Sequence, residues 1–264
     1  MNYYFSATGN SKYVAERIAG VLDDEARSIQ GCDGRLSRSD VIGFVTPTYA
    51  WGLPEIVKRF FSALVAEQPG YAFCVATYGT TPGFTGKQAR KLRGEWGHSL
   101  DALFSARMPD NWTPTFDLSD PDKVAETNRK ADEEVSEVIG RIERREHGNF
   151  TRRAMPCFTS RVALTEYEKM RKTSHFMLDD TCIGCGLCAR KCSDKAIEMR
   201  DGRSVWVKER CIMRLGCLHR CPKFAIQYDD RTREHGQYRH PGTRGAIRGA
   251  LPRGDELRKY AGAR

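Results

Sequence analysis

A chain of 264 residues, 40% hydrophobic and 29% charged, is long enough for one large domain or two modest ones and apolar enough for a packed core. No apolar run approaches the ~20 residues of a membrane-spanning helix. Met1-Asn2-Tyr3-Tyr4-Phe5 shows no basic segment before an apolar one, so no signal peptide is visible and a cytoplasmic, reducing location is expected. The net charge of +9 is uneven: residues 231–264 hold nine Lys or Arg against three Asp or Glu, a balance of +6. A basic tail of this kind is either simply solvated or a surface for nucleic acid, an acidic membrane or an acidic redox partner.

The first 150 residues alternate strand and helix signals. Asn2–Phe5 is a short strand, and Ser6-Ala7-Thr8-Gly9-Asn10-Ser11 is a loop of hydroxyls and small side chains. Lys12–Leu22 then places Val14, Ile18, Val21 and Leu22 at a helical period. A strand, a small-residue loop and a helix start make an anion site, because free backbone N–H groups and the helix dipole favour a phosphate. Hydroxyls suit a terminal monophosphate, and neither GxGxxG nor the lysine-containing P-loop is present.

A second strand includes Ala26–Ile29. Val41–Val45 is a continuous apolar run, as in a buried parallel strand, and it ends in Thr46-Pro47-Thr48-Tyr49-Ala50-Trp51-Gly52. Pro54 opens a helix reaching about Ala66. Tyr71–Thr77 is the next strand, ending in Tyr78-Gly79-Thr80-Thr81-Pro82-Gly83. A strand at Ala102–Met108 and a charged helix at Pro121–Glu146 complete five strands. Ligands of open α/β sheets bind beyond the carboxyl ends of the strands, where the three special loops converge. Tyr49, Trp51 and Tyr78 are candidate walls for a flat ring there.

Residues 147–173 form a connector broken by Gly148, Arg152-Arg153 and Pro156, with Cys157 as an idle thiol. Cys32 and Cys74 are expected to be structural. Phe176–Leu178 opens a second domain, and seven of the ten cysteines fall between Cys182 and Cys221. The first half runs Cys182-x2-Cys185-x2-Cys188-x3-Cys192. Twenty-nine residues later Cys211–Tyr228 repeats Cys182–Met199 without a gap, so that Cys217 matches Cys188, Cys221 matches Cys192 and Ala225-Ile226 matches Ala196-Ile197. Asp201-Gly202 marks a hairpin between Ala196–Met199 and Ser204–Val207. Structural zinc calls for two CxxC pairs a dozen or more residues apart, a spacing absent here, and a disulfide scaffold calls for an oxidising compartment. Four thiolates within eleven residues suit a compact inorganic cube.

Two resemblances follow. Residues 1–146 resemble a flavodoxin: Ser6–Ser11 matches that family's phosphate loop, and Thr46–Gly52 and Thr77–Gly83 lie where its two flavin-stacking loops lie. The cysteine run resembles that of bacterial two-cluster ferredoxins. Together the chain is similar to the flavodoxin–ferredoxin fusion electron-transfer proteins of anaerobes. The resemblance implies a doubly wound parallel sheet of order 2-1-3-4-5 over residues 1–146. It also implies a small α+β iron–sulfur domain over residues 174–230, with 231–264 as a basic tail. FMN is then expected on Ser6, Thr8, Gly9, Asn10 and Ser11, on Pro47, Thr48, Tyr49, Ala50, Trp51 and Gly52, and on Thr77, Tyr78 and Gly79.

In the ferredoxin run the fourth cysteine reaches across to the other cluster. By that rule a 4Fe–4S cluster takes Cys182, Cys185, Cys188 and Cys221. Cys192, Cys211 and Cys217 are left as an incomplete second set, with Arg214 where Cys185 stands in the first repeat. Arginine is protonated at ordinary pH and is a poor substitute for a thiolate. Three arrangements stay open: a 3Fe–4S centre, a 4Fe–4S centre whose unique iron takes water or another ligand, or no second cluster. Ser193 in place of Pro222 relaxes the turn after Cys192. The basic charge is a further departure, since free-standing flavodoxins are typically acidic.

The expected function is electron transfer between FMN and the clusters, with a ferredoxin-type donor or a flavin enzyme as partner. A flavin-dependent oxidoreductase acting on a small-molecule acceptor is the alternative. A basic nucleic-acid-binding protein with a structural cluster is a third, remote reading. No catalytic set is visible among the thiols and His175, His219, His235 and His240, and HExxH, GxSxG and a nicotinamide fingerprint are absent.

Overall fold

The structure, a computed structural model, describes residues 1–36, 39–65, 69–95, 97, 99–152 and 159–243. Cys157, Ala66 and the tail beyond 243 lie outside the described residues. Six parallel strands form one sheet: β1 (Asn2–Tyr4), β2 (Ala26–Ser28), β3 (Val41–Pro47), β4 (Tyr71–Tyr78), β5 (Ala102–Arg107) and β6 (Gly148–Asn149), in the order β2-β1-β3-β4-β5-β6. The first five strands keep the flavodoxin order. The sixth is two residues long, and extends the sheet by pairing Gly148 with Ala102 and Asn149 with Leu103.

Every residue of β4 is buried, which is why its sequence shows no polar alternation. Parity along the strand sends Ala72 and Cys74 to one face and Phe73 and Val75 to the other. The first face is covered by α2 (Glu55–Ser62) and α3 (Thr85–Glu95), the second by α1 (Asn10–Val21) and α4 (Pro121–Glu143). Cys74 packs in that core, where burial pushes its thiol up to about 12, and Cys32 packs against the same face. The Asp120 side chain caps α4 by accepting from the N–H groups of Asp122 (3.0 Å) and Lys123 (3.1 Å), with Pro121 at the first helical position. Arg145 in a left-handed conformation ends the turn after α4 before Glu146.

Helix α5 (Thr159–Met170) lies within the expected connector and leads into the second unit. There β7 (Phe176–Leu178) pairs antiparallel with β10 (Ile226–Tyr228), and β8 (Ile197–Arg200) with β9 (Arg203–Trp206). Asp201 and Gly202 both have positive φ, the geometry of a tight hairpin turn. The internal repeat is kept in the backbone. Left-handed Gly184, Gly186 and Lys195 have left-handed counterparts twenty-nine residues on at Met213, Leu215 and Phe224. Short helices α6 (Leu187–Arg190) and α7 (Gly216–Arg220) also correspond.

The two units pack directly on each other. Ile212, from the second cysteine repeat, is buried in the core face of α2 and α3, while Trp112, from the loop after β5, packs on the core of the second unit. His219 shares a hydrogen bond with the Asn111 carbonyl (Nε2 to O 2.9 Å). After α8 (Thr232–His235), residues 236–243 run back over the first unit as a strap. Tyr238 bonds to Asn10 and Asn128, the His240 N–H donates to the Thr8 carbonyl (2.9 Å), and the His240 ring stacks on Tyr13 at 4.0 Å.

Candidate functional site

Beyond the carboxyl ends of the central strands opens a cavity of about 650 Å³. Its floor is the loop between β1 and α1. Gly9 takes φ 112°, which a side chain rarely adopts, and thereby turns the chain into α1 with no side-chain cap and no acidic residue in the first turn. The N–H groups of that turn are left to an anion. Ser6 Oγ accepts from the Gly9 N–H (3.1 Å), and Ser11 Oγ meets Thr77 Oγ1 at 2.7 Å, tying the loop to the end of β4. Ser6, Thr8, Asn10 and Ser11 line the cavity, as do Pro47, Thr48, Tyr49, Ala50 and Trp51 at and after the end of β3 and Thr77, Tyr78 and Gly79 at and after the end of β4. Gly9 and Gly52 stand behind the wall and shape it. Gly52 exchanges two backbone hydrogen bonds of 2.9 Å with Tyr49, which forces Ala50 and Trp51 into left-handed conformations.

Two successive left-handed side-chain residues cost on the order of 1–2 kcal/mol each. Such strain persists where surrounding contacts over-determine it, and it collects at ligand sites. Here the contact is Gly83, whose absent Cβ makes room for the Trp51 carbonyl and Cα. The Tyr49 hydroxyl is buried without a hydrogen-bond partner among the described residues. Burial drives Tyr49 far above the ordinary tyrosine range, opposed by the nearby guanidinium groups of Arg214 and Arg220. Hydroxyls at an open helix start, flat aromatic walls and unpaired polar atoms fit a phosphate-bearing aromatic cofactor.

The remaining wall was not legible in the sequence. Asp110, Asn111 and Trp112 line the cavity from the loop after β5, Tyr167 and Met170 from α5, and Met213, Arg214 and Leu215 from the second cysteine repeat. Asp110 is raised by burial, offset by hydrogen bonds from the Trp112 and Thr80 N–H groups. The only sequence signal for the first group was position, since Trp112 follows a sheet strand as Tyr49 and Tyr78 do.

The cysteines divide into two groups. Cys182, Cys185, Cys188 and Cys221 line one pocket, closed by Leu178, Ile183, Pro222 and Ile226. Cys192, Cys211 and Cys217 lie within electrostatic reach of one another, so that burial first and then the neighbouring thiols push Cys217 up to about 12. Cys211 rises to about 11, mainly by burial. Backbone N–H groups point at sulfur at matching places in the repeat, Ala196 to Cys192 and Ala225 to Cys221, both at 3.3 Å. Met213 adds a third such bond to Cys211 (3.4 Å). Among the described residues no three His, Cys, Asp or Glu side chains gather as tightly as one metal ion requires. The four thiols of the first group share one pocket instead, and a cysteine set of this kind suits a multi-iron cluster. Arg214, at the place of the missing cysteine, is among the residues that line the large cavity.

Among the described residues no helix is long and apolar enough to cross a membrane. No curated protein matches the chain. A solved structure of the Trp repressor binding protein from Bacillus subtilis aligns with 56% of this chain and 99% of its own, at 15% identity and a TM-score of 0.35. The family comparisons match a flavodoxin domain over residues 1–131 and a 4Fe-4S dicluster domain over residues 176–222. The chain joins an N-terminal flavodoxin domain to a C-terminal 4Fe-4S dicluster domain and so matches a flavodoxin–ferredoxin fusion.

Proposed function

We propose that the protein passes electrons within one polypeptide between FMN held in the large cavity and two iron–sulfur centres. The observation that carries this reading is the loop from Cys211 to Cys217. Its ends supply two of the three thiols of the second group, and its middle, Met213–Leu215, is a wall of the cavity. The second centre is therefore the inner one and the first centre, with Cys185 exposed, the outer one. FMN exchanges one or two electrons and a cluster one at a time, so the pair links two-electron and one-electron carriers.

Ser6, Thr8, Asn10 and Ser11 hold the phosphate, and Tyr49, Trp51 and Tyr78 flank the ring. Cys182, Cys185, Cys188 and Cys221 hold a 4Fe–4S cluster. Cys192, Cys211 and Cys217 hold a three-cysteine centre, either 3Fe–4S or a 4Fe–4S cluster completed by another ligand. The external one-electron partner, a ferredoxin-type donor or a flavin enzyme, meets the outer centre.

Anaerobic purification with flavin, iron and sulfide analysis tests this directly. One FMN with about seven irons per chain and an EPR signal from the oxidised protein is the expected result for a three-iron inner centre, and about eight irons without that signal for a four-iron one. About four irons would leave no inner centre and break the proposed route. A chain without flavin would overturn the reading entirely.

A further inference from the structure

The two cysteine repeats share backbone geometry but differ at one tripeptide. Gly184-Cys185-Gly186 in the first becomes Met213-Arg214-Leu215 in the second. The flanking positions are left-handed in both repeats, at φ 65° and 67° in the first and φ 50° and 52° in the second. Glycine takes that conformation freely, whereas Met213 and Leu215 do so at a cost of roughly 1–2 kcal/mol each. Both are buried, filling the second unit's core and facing the cavity. The curve of a cluster-holding loop is thus kept while its middle residue serves something else.

That middle residue is a cation with no carboxylate partner among the described residues. Arg214 is 9% exposed, lines the cavity, and its Nη1 is buried without a hydrogen-bond partner. Arg220 lies beside it: the Nε of Arg214 and the Nη1 of Arg220 both press to 3.3 Å of the space where a Cβ on Gly216 would sit. Among the described residues no carboxylate lies within ion-pair distance of either guanidinium. The carboxylates that line the cavity are otherwise engaged. Glu166 pairs with Lys169 at 2.7 Å, and Asp110 accepts backbone N–H groups. Buried like charges are costly, the Cys217 sulfur lies within electrostatic reach of both guanidinium groups, and an anion in the cavity relieves them further. A planar guanidinium matches a carboxylate with two parallel hydrogen bonds.

We propose that Met213-Arg214-Leu215 forms the anion-recognising wall of a second ligand subsite in this cavity, in which Arg214 holds the carboxylate of a small organic acid against the flavin. The proposal rests on the cavity being the FMN site. It assigns to the chain a small-molecule redox partner with a flat body, for the aromatic walls, and a carboxylate, for Arg214.

The test uses the purified holoprotein with its flavin content measured first. Benzoate is titrated against the flavin absorption and fluorescence and by calorimetry, with benzamide as the uncharged control of the same shape. Benzoate is expected to perturb the flavin saturably and benzamide not to. Arg214→Gln is expected to weaken benzoate at least about tenfold while FMN affinity stays within about twofold, and Arg214→Lys to fall between. Absence of a saturable benzoate response, or an equal response to benzamide, overturns the subsite without needing any variant. Loss of FMN from Arg214→Gln with benzoate affinity kept also overturns it, since Arg214 then holds the cofactor. A wild-type chain that binds no FMN fails the underlying reading, whereas one that binds FMN and ignores benzoate fails the subsite alone.

Discussion

The Tyr238 hydroxyl lies 2.8 Å from Oδ1 of Asn10, joining the strap after the iron–sulfur domain to the first residue of α1, 228 positions earlier. Asn10 is gripped from the other side as well, since its Nδ2 donates to the Pro109 carbonyl at 3.1 Å. The phosphate loop is therefore held by the C-terminal strap and by the loop after β5 together. Tyr238→Phe removes the hydroxyl that the Asn10 and Asn128 oxygens share and leaves buried amide groups short of a partner, at roughly 1–3 kcal/mol. FMN affinity is expected to fall several-fold while iron content is unchanged. Equal flavin dissociation constants for the variant and the parent would reduce the strap to a tether.

The same strap is expected to make flavin retention sensitive to acid. His240 is 3% exposed, its Nδ1 accepts from the Gly242 N–H at 3.2 Å, and its Nε2 is buried without a partner among the described residues. Its ring lies on Tyr13, itself raised to about 12 by burial and by its bond to Asp132, with Arg17 at the far edge of that ring. Burial lowers His240 from 6.5 to about 4. The unfolded or undocked strap then binds a proton that the docked strap does not. The stabilisation is full above about pH 6.5, declines as the pH falls toward about 4, and changes no further below that. The shift corresponds to roughly 3 kcal/mol at most. Flavin release measured from pH 7 to 4 should steepen below 6.5, and His240→Gln should flatten that component; an unchanged profile would remove His240 from the account.

What could be read from the sequence was local. The phosphate loop announces itself because its hydroxyls sit within six residues between a strand and a helix, and the first cysteine group because its spacing is short-range. The wall made by Trp112, Tyr167 and Arg214 comes from three segments more than forty residues apart, brought together only by packing. β6 has two residues and cannot display a period, and Pro156 with the Arg152-Arg153 pair concealed the helix that follows. Arg214 stood out as a cysteine missing from a repeat. That it lines the large cavity depends on how Ile212 is buried in the other domain, which no pattern in the repeat encodes.

The turn that presents Trp51 is open to a single-atom test. A Cβ on Gly83 would lie 2.2 Å from the Trp51 carbonyl oxygen and 2.6 Å from its Cα, with Gly83 itself at φ 52°. The Phe84 N–H also donates to that carbonyl at 2.7 Å, so the clash falls on a fixed point. Gly83→Ala is expected to displace the turn from Tyr49 to Gly52 and to cost roughly 1–3 kcal/mol of stability. FMN binding should weaken about tenfold, and quenching of tryptophan fluorescence by the bound flavin should diminish. Unaltered affinity and quenching would mean that Trp51 does not flank the ring.

Arg214→Cys restores the residue that the internal repeat supplies at Cys185. The backbone there already follows the cluster-holding curve, with Met213 and Leu215 left-handed like Gly184 and Gly186, so a thiol at 214 needs no new loop geometry. The inner centre should gain a fourth ligand, and iron should rise from about seven to about eight per chain. A positive guanidinium near Cys217 would be exchanged for a thiolate, which favours the oxidised form of the centre. The midpoint potential of the inner centre is therefore expected to fall, and its oxidised EPR signal to disappear. On the proposed route, in which the inner centre stands between FMN and the outer cluster, flavin reduction through the clusters should change its rate as well. Potentiometry and iron analysis identical to the parent would show that Arg214 neither displaces a ligand nor tunes the inner centre.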